Sequence, residues 1–269
     1  MNVSGPVPAR PDDLERIGTF RRWIENTTSS RTEPWRFGTA LYHDDFPNRW
    51  DSNFLRVERP VGDATAIELA VEADRALEPL RHREFVFDDD ADGARVATGL
   101  VGLGYDADRL VYLALRREPD RDPPPLEVAE VDLGTVRPLI VQTSLVAHGG
   151  TPRESAEMLA DFRQVLIDRV GARFFATTVD GRVVGCCELY VHDGVAQIES
   201  VDTLEAYRNR GVARAFLAAA ITAARDAADL VFLIADAADW PQQLYGKLGF
   251  DPVGTFRQFT KPPTGETYR

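Results

Sequence analysis

"AYRNRGVARAFLAAA", residues 206–220, crowds three arginines around a glycine where an alanine-rich helix begins. The chain as a whole is acidic, with a formal net charge of −12, so positive charge gathered at one helix start calls for a cause. Upstream, "VAQIESVDTL" (195–204) reads as a strand. Downstream, the helix runs from Gly211 to about Ala227 and a buried strand "LVFLIA" follows. The first four N–H groups of a helix have no internal partner, and the helix dipole adds partial positive charge there. Arg208, Arg210 and Arg214 add full charges, and Gly211 lets backbone approach a ligand closely. Arginine at a helix N-terminus opposes the dipole, so the placement is unfavourable without an anion. The stretch therefore predicts an anion site suited to phosphate or pyrophosphate.

Outward from this turn, the second half of the chain reads as alternating elements. "LEVAEVD" (126–132) is a strand, and "TVRPLIVQTSLVA" a helix bent or delayed by Pro138. "TPRE" (151–154) has the form of a capping box with Thr151 at the N-cap, Pro152 at N1 and Glu154 at N3. It opens a helix whose Met158, Leu159, Phe162, Leu166 and Val170 recur at helical spacing. Three strands follow, "ARFFATTV", "RVVGCCELYV" and "VAQIESVDTL", joined at Asp180-Gly181 and Asp193-Gly194, both strong hairpin signals. A short helix ending "LYGKLGF" and a last strand near "TFRQFTK" close the chain. This order predicts a mixed α/β layer fold.

"REPDRDPPPLE" (117–127) breaks the pattern. Three successive prolines among charges exclude a helix or central strand, which makes this an extended linker with a boundary near residue 122. Before it lies an echo. "GLVGLGYD" (99–106) aligns with "LYGKLGFD" (244–251), and the same ungapped offset lays "FLRV" on "ESVD". It also lays helix 64–76, strand 84–87 and strand 109–115 on their later counterparts. The chain thus reads as two copies, 1–121 and 126–269. Within the first copy, the repeated helix–strand–helix–strand order is preceded by a helix around 12–28 and two strands near "FGTALYH" and "NFLRV".

Composition excludes several classes. The 269 residues are 44% hydrophobic and 28% charged, as in ordinary soluble domains. No apolar run approaches a membrane span, and the N-terminus carries no apolar signal region. The acidic balance argues against nucleic acid. Cys186 and Cys187, the only cysteines, are adjacent in a strand and offer neither a disulfide framework nor metal-ligand spacing. No metal, no membrane and a cytoplasmic setting are therefore expected, with the chain a monomer or homodimer.

"YRNRGVA" resembles the Arg/Gln-x-x-Gly-x-Gly/Ala signature of the GCN5-related N-acetyltransferases (GNAT), through Arg208, Gly211 and Ala213. "LYGKLGF" is similar to that family's late segment, through Tyr245, Lys247, Gly249 and Phe250. The resemblance covers about 126–265, and in degenerate form about 35–117. It implies a mixed, mostly antiparallel sheet flanked by helices, in two tandem copies, with acetyl-CoA as cofactor and CoA as product. It places the pyrophosphate on the backbone of Arg208, Asn209, Arg210, Gly211, Val212, Ala213 and Arg214. Val201 and Thr203 would pair with the pantetheine arm where the strand splays from "LVFLIA". The first copy has "ERPVGDATA" instead, where Pro60 removes a donor and Asp63 repels phosphate. It also lacks the three-strand run, so it is expected not to bind CoA and to pack against or roof the active half.

The implied reaction is N-acetyl transfer to a small-molecule or protein amine by direct attack in a ternary complex. It needs a base, a polarised carbonyl and a proton donor to the departing thiolate. Tyr245 matches the family's donor position. Glu199 shares a strand face with Gln197, Val201 and Thr203 by period two, which makes it the candidate base. Glu188 on the neighbouring strand is its rival, and a water chain is a third possibility. A backbone N–H near Val201 would polarise the carbonyl. Many relatives have an asparagine where this chain has Ala238, a contact that Asp239 would have to replace. Substrate choice would lie in loops around 134–152 and in a groove between the domains. "DDDAD" (88–92) reads as a solvated turn, "HGG" (148–150) as no true oxyanion loop, and the cysteines as filler. The alternatives are a non-catalytic acetyl-CoA sensor and a vestigial interaction protein. Mycothiol synthase, another tandem arrangement, has no specific mark here.

Overall fold

Residues 10–146, 151–238 and 241–263 are described by the computed structural model of the protein. In chain order they form α1 (Asp13–Thr28), β1 (Arg31–Trp35), β2 (Gly38–Tyr42), β3 (Phe54–Val57), α2 (Ala66–Ala76), β4 (Arg83–Phe87), α3 (Asp90–Gly102) and β5 (Asp106–Leu115). Then come β6 (Glu127–Val131), α4 (Leu133–Val146), α5 (Arg153–Val170), β7 (Arg173–Val179), β8 (Arg182–His192), β9 (Val195–Thr203), α6 (Val212–Ala227), β10 (Leu230–Asp236), α7 (Pro241–Lys247) and β11 (Phe250–Lys261). The tandem repeat is visible in the elements: adding 145 carries 66–76 to 211–221, the N-cap and first turns of α6, and 106–115 to 251–260, on β11. No helix among the described residues is long and apolar enough to cross a membrane.

The chain divides into two compact units. One holds Arg22–Val111, Asp236–Ala238 and the stretch from Gly254 onward. Its strands run in the order β1-β2-β3-β4-β11-β5. β3 and β4 are parallel, from Leu55 beside Phe85 to Val57 beside Phe87. Residues 257–261 of β11 pair antiparallel with 83–87. Leu69, Leu77, Val96 and Leu100, from α2, α3 and the turn after α2, pack on Phe85, Phe87 and Phe259. The Phe87 and Phe259 rings meet edge to face at 5.5 Å.

One expectation for this half is corrected. Three strands, not two, precede α2, so the three-strand run is present in the first copy as well. β1, "RTEPW", was illegible because it is a sheet-edge strand with no buried residue. Without apolar alternation, and with Pro34 inside, nothing marks it. An edge strand accepts proline because one side of it needs no donor.

His82, just before β4, is 1% exposed and stacks on the Trp50 ring at 5.5 Å. Its Nε2–H donates to the Asn53 carbonyl at 2.8 Å. Burial pushes its pKa down to about 4. The folded state therefore holds it neutral while the unfolded chain takes up a proton below about pH 6.5. Stability is untouched above that pH and falls as pH drops from about 6.5 to about 4. The shift corresponds to a loss of about 3 kcal/mol. Denaturant melts across this window should show the fall in the wild type and a flatter course in His82→Gln.

The second unit holds residues 10–21, 112–235 and the stretch ending at Val253. Its strand order is β5-β10-β9-β8-β7-β6. β6 to β9 pair antiparallel, and β9 with β10 is parallel. The two Asp-Gly turns have φ of 50° and 75° at Asp180 and Gly181, and 45° and 73° at Asp193 and Gly194. Positive φ at both central residues matches the right-handed twist of the flanking strands, which is why these dipeptides fix the hairpins. α6 buries Val212, Ala215, Phe216, Leu217, Ala220, Ile221 and Ala224, one broad helical face. Full burial of Phe216 contributes about 2–3 kcal/mol. α4 and α5 lie on the opposite sheet face.

The helix starts differ from the sequence reading in one place. α5 begins at Arg153, its N-cap is Pro152, and no side chain caps it. The ψ of 143° at Pro152 is extended, so the helix starts one residue later than the Thr151 box predicts. Gly171 ends it in the left-handed region at φ 68°. The proline-rich segment is irregular, as expected, but tied down. Arg117 pairs with Asp251 at 2.9 Å, the Asp120 N–H donates to the Lys247 carbonyl at 2.8 Å, and Arg225 meets Glu118 at 2.9 Å.

Candidate active site

β9 and β10 stay paired for four residues, from Val195 beside Leu230 to Ile198 beside Leu233. β9 then runs on to Thr203 and β10 to Asp236, so the two strands part after Ile198. Glu199 is the first residue past the fork. Val201 and Thr203 follow, both half-buried. The Thr203 hydroxyl oxygen is buried and has no hydrogen-bond partner.

The chain then turns into α6. Arg208 Nε donates to the Thr203 carbonyl at 3.3 Å, and the Arg210 guanidinium lies 5.5 Å from the Tyr207 ring centre. Asn209 and Gly211 both have positive φ, 61° and 83°. Gly211 is the N-cap, and with no side chain it caps nothing. The first helical bond runs from the Ala215 N–H to the Gly211 carbonyl at 3.0 Å, so the N–H groups of Val212, Ala213 and Arg214 precede the ladder. No acidic residue sits in this first turn. The Arg214 guanidinium is held below its usual pKa by burial and then by the charge of Arg121, in the linker. A Cβ on Gly211 would stand 2.8 Å from Pro124 Cγ, so the linker packs directly on this turn. Arg121 and Pro124 were invisible as site neighbours, because only the fold brings the linker here.

The matching helix in the first copy is closed. Thr65 accepts from the Glu68 N–H at 3.2 Å, and Glu68 accepts from the Thr65 N–H at 2.8 Å. This capping box puts a carboxylate where α6 offers bare donors. The donors before it are also engaged: the Glu58 and Arg59 N–H groups go to the Phe37 carbonyl and the Val61 N–H to Asp92. A cavity of about 290 Å³ does lie at the ends of β3 and β4, but Glu58, Asp88, Asp89 and Asp92 line it against a single cation, Arg59.

The period-two reading of β9 is corrected. Glu188 opposes Glu199, while Cys186 opposes Asp202 and Gly185 opposes Thr203. Two steps along β8 thus match three along β9, a β-bulge with Ser200 at φ 52°. An extra residue flips the faces beyond it. Glu199 therefore shares its face with Gln197 and Asp202, and Thr203 points to the other side, toward α6. There, a Cβ on Gly185 would meet Phe216 and Val212 at 2.8 Å.

The Glu199 face holds a buried ionic cluster. Glu188, 1% exposed, accepts from Arg163 Nε at 2.9 Å through one oxygen and from the Tyr190 hydroxyl through the other. Glu199 accepts from Gln197 Nε2 at 2.6 Å and from the Ser200 N–H at 3.3 Å. Burial and then the Glu188 charge push Glu199 up to about 7 against the pull of these donors and of Arg163. Burial also lifts Asp202 to about 6, with Arg163 opposing. Tyr190 and both cysteines are pushed well above their usual values by burial, so neither thiol is a ready nucleophile.

Tyr245 lies on α7, 8% exposed, its ring edge-on to Phe250 at 6.4 Å. Asp236 accepts from the Ala238 N–H at 2.7 Å. Asp239, the "HGG" triplet and the segment's neighbour Ala147 lie outside the described residues. The supposed loop from 134 is mostly helix α4, which runs through Pro138 to Val146. The four aspartates of "DDDAD" are engaged: Asp88 with Arg22, Asp89 capping α3, Asp90 with Arg109 and Arg257, and Asp92 with the Val61 N–H. Among the described residues no group of three or more His, Cys, Asp or Glu could hold a metal ion.

Residues 143–250 match the model of the acetyltransferase (GNAT) family. No curated protein matches the chain. A functionally unknown conserved protein from Staphylococcus epidermidis is similar with a TM-score of 0.68 at 15% identity, over 87% of this chain and 94% of its own. A GCN5-related N-acetyltransferase from Kribbella flavida gives 0.59 at 19%, over 94% and 97%. A tandem GNAT protein from the clavulanic acid biosynthesis pathway gives 0.54 at 13%, over 98% and 92%. The chain has the tandem GNAT fold, and the match to the GNAT family model falls in its second half.

Proposed function

We propose that residues 126–269 form an acetyl-CoA-dependent N-acetyltransferase acting on an amine of a small molecule or protein, in a ternary complex. The observation that carries this is the fork after Ile198, from which β9 leads straight into a helix start with no capping side chain and no acid. The residues fit the cofactor. N–H donors at 212–214 and the arginines around them suit a diphosphate, and the orphaned Thr203 hydroxyl and the open β9 edge suit an amide-bearing arm. Acetyl-CoA, when bound, supplies an acyl group activated as a thioester.

The chain's own residues do the rest. Glu199, at the fork and poised near neutral pH, takes the proton from the amine. Glu188 is a poorer candidate because both its oxygens are occupied. Main-chain N–H near Val201 polarises the carbonyl, and the Tyr245 hydroxyl gives a proton to the leaving sulfur. Residues 1–121 form the first, degenerate copy, which binds no CoA because its own Glu68 occupies the helix start. Two buried, unpaired thiols support a reducing, cytoplasmic setting.

Calorimetry of the full chain with acetyl-CoA, followed by thiol release over an amine panel, tests this. Saturable heat at one site per chain and amine-dependent thiol release are expected. Heat without release on any amine would favour the non-catalytic sensor. No heat at millimolar acetyl-CoA would end the reading.

A further inference from the structure

We propose that Arg163 is a positioning residue of this site, holding the bulge of β9 and the buried carboxylate of Glu188 so that Glu199 stands at the fork as the working base. The inference rests on the acetyl-transfer reading above.

Arg163 reaches in from α5 with its side chain 11% exposed. Its three nitrogens go to three partners. Nε donates to Glu188 at 2.9 Å, Nη2 to the Ser200 hydroxyl at 3.2 Å and Nη1 to the Leu159 carbonyl at 2.5 Å. Ser200 is the bulged residue, in the left-handed region that non-glycine residues seldom adopt. One rigid, planar cation thus ties helix α5 to both strands across the bulge. Tyr190 completes the chain of contacts by donating to the free oxygen of Glu188.

The arrangement also sets a charge balance. Glu188 and Tyr190 face Glu199 from β8, Asp202 lies beyond the bulge on the same strand, and Arg163 is the cation among them. Gln197 and the Ser200 N–H are the neutral donors to Glu199. Two carboxylates placed directly opposite each other repel. Without the guanidinium, Glu188 would stand unscreened beside Glu199, and Glu199 would hold its proton more tightly.

The test compares Arg163→Met, Arg163→Lys and the double variant Arg163→Met with Glu188→Gln, all in the full chain. The Glu199 carboxyl is titrated by NMR with 13C-labelled glutamate, assigned through Glu199→Gln, and kcat, KM and CoA affinity are measured across pH. In Arg163→Met the Glu199 midpoint should rise by about one pH unit or more, with the acid limb of kcat moving alongside. At pH 7 kcat should fall at least about fivefold, the drop in the ionised fraction that a one-unit rise from 7 produces, while the CoA Kd stays within threefold. Arg163→Lys should bring the midpoint back toward the wild type. So should the double variant, which removes both charges and guards against a single variant that folds poorly. An unmoved midpoint in Arg163→Met, or CoA affinity lost together with kcat, would overturn the inference. The NMR midpoint needs no turnover, so an inactive wild type would sink the acetyl-transfer reading while the Arg163 coupling is still read.

Discussion

Gly211→Glu should abolish CoA binding, weakening it at least a hundredfold, while the fold persists. Three effects act together. Residue 211 sits at φ 83°, where any side chain is strained by about 1–2 kcal/mol. Its Cβ would stand 2.8 Å from Pro124 Cγ, so the linker ring must shift. The new carboxylate would then lie at the start of α6, against the unpaired N–H groups of residues 212–214. That third effect would stabilise the helix while blocking the phosphate, so thermal stability should change little and affinity greatly. Gly211→Ala is the control, carrying the strain without the charge. It should lose much less affinity. Titration calorimetry of both variants, with melting curves alongside, separates the terms. Equal affinity in Gly211→Glu and the wild type would mean that the phosphates do not sit on this turn.

What was legible in the sequence divides along a physical line. Local signals read well. The Asp-Gly turns demanded positive φ, and the apolar spacing of α5 demanded a buried face. Signals that depend on distant pairing did not. The unit built on 22–111 draws one strand from residues 254–261, which the repeat assigns to the other copy. No local pattern encodes which strand a sheet accepts at such separation. The bulge at Ser200 was missed because serine is not a residue that announces left-handed backbone. That single residue reversed the face assigned to Thr203 and brought Asp202 beside Glu199. Arg163 did leave a trace. It falls four residues after Leu159 and three before Leu166, within the buried stripe of α5, and an arginine there must find a buried partner. Asking for that partner would have pointed to a carboxylate on the facing strands.

Glu199→Gln should reduce kcat by about 100- to 10,000-fold with little change in CoA affinity, the usual range for a lost general base. In the wild type the rate should rise with pH through a midpoint near 7, because Glu199 must be ionised to accept the proton and its pKa is about 7. The residual rate of the variant should lose that limb. The same substitution has an opposite effect on stability. A carboxyl raised from 4.5 in the unfolded chain to about 7 in the fold binds its proton more tightly when folded. Stability is therefore full below about pH 4.5 and declines as pH rises toward 7, by up to about 3 kcal/mol for such a shift. Glutamine carries no charge and escapes this decline. It also sets an NH2 group against one of the two donors, Gln197 Nε2 and the Ser200 N–H, so the net gain should be nearer 1–2 kcal/mol. Melting at pH 8 should then rise by a few degrees while melting at pH 4.5 stays level or falls. A carboxyl kept half-buried opposite another carboxylate destabilises the fold near pH 7, a trade of stability for activity if the residue serves as the proposed base. If Glu199→Gln were neither slower nor more stable at pH 8, the residue would be neither desolvated nor catalytic. Asp202, lifted to about 6 on the same face, would be the base to test next.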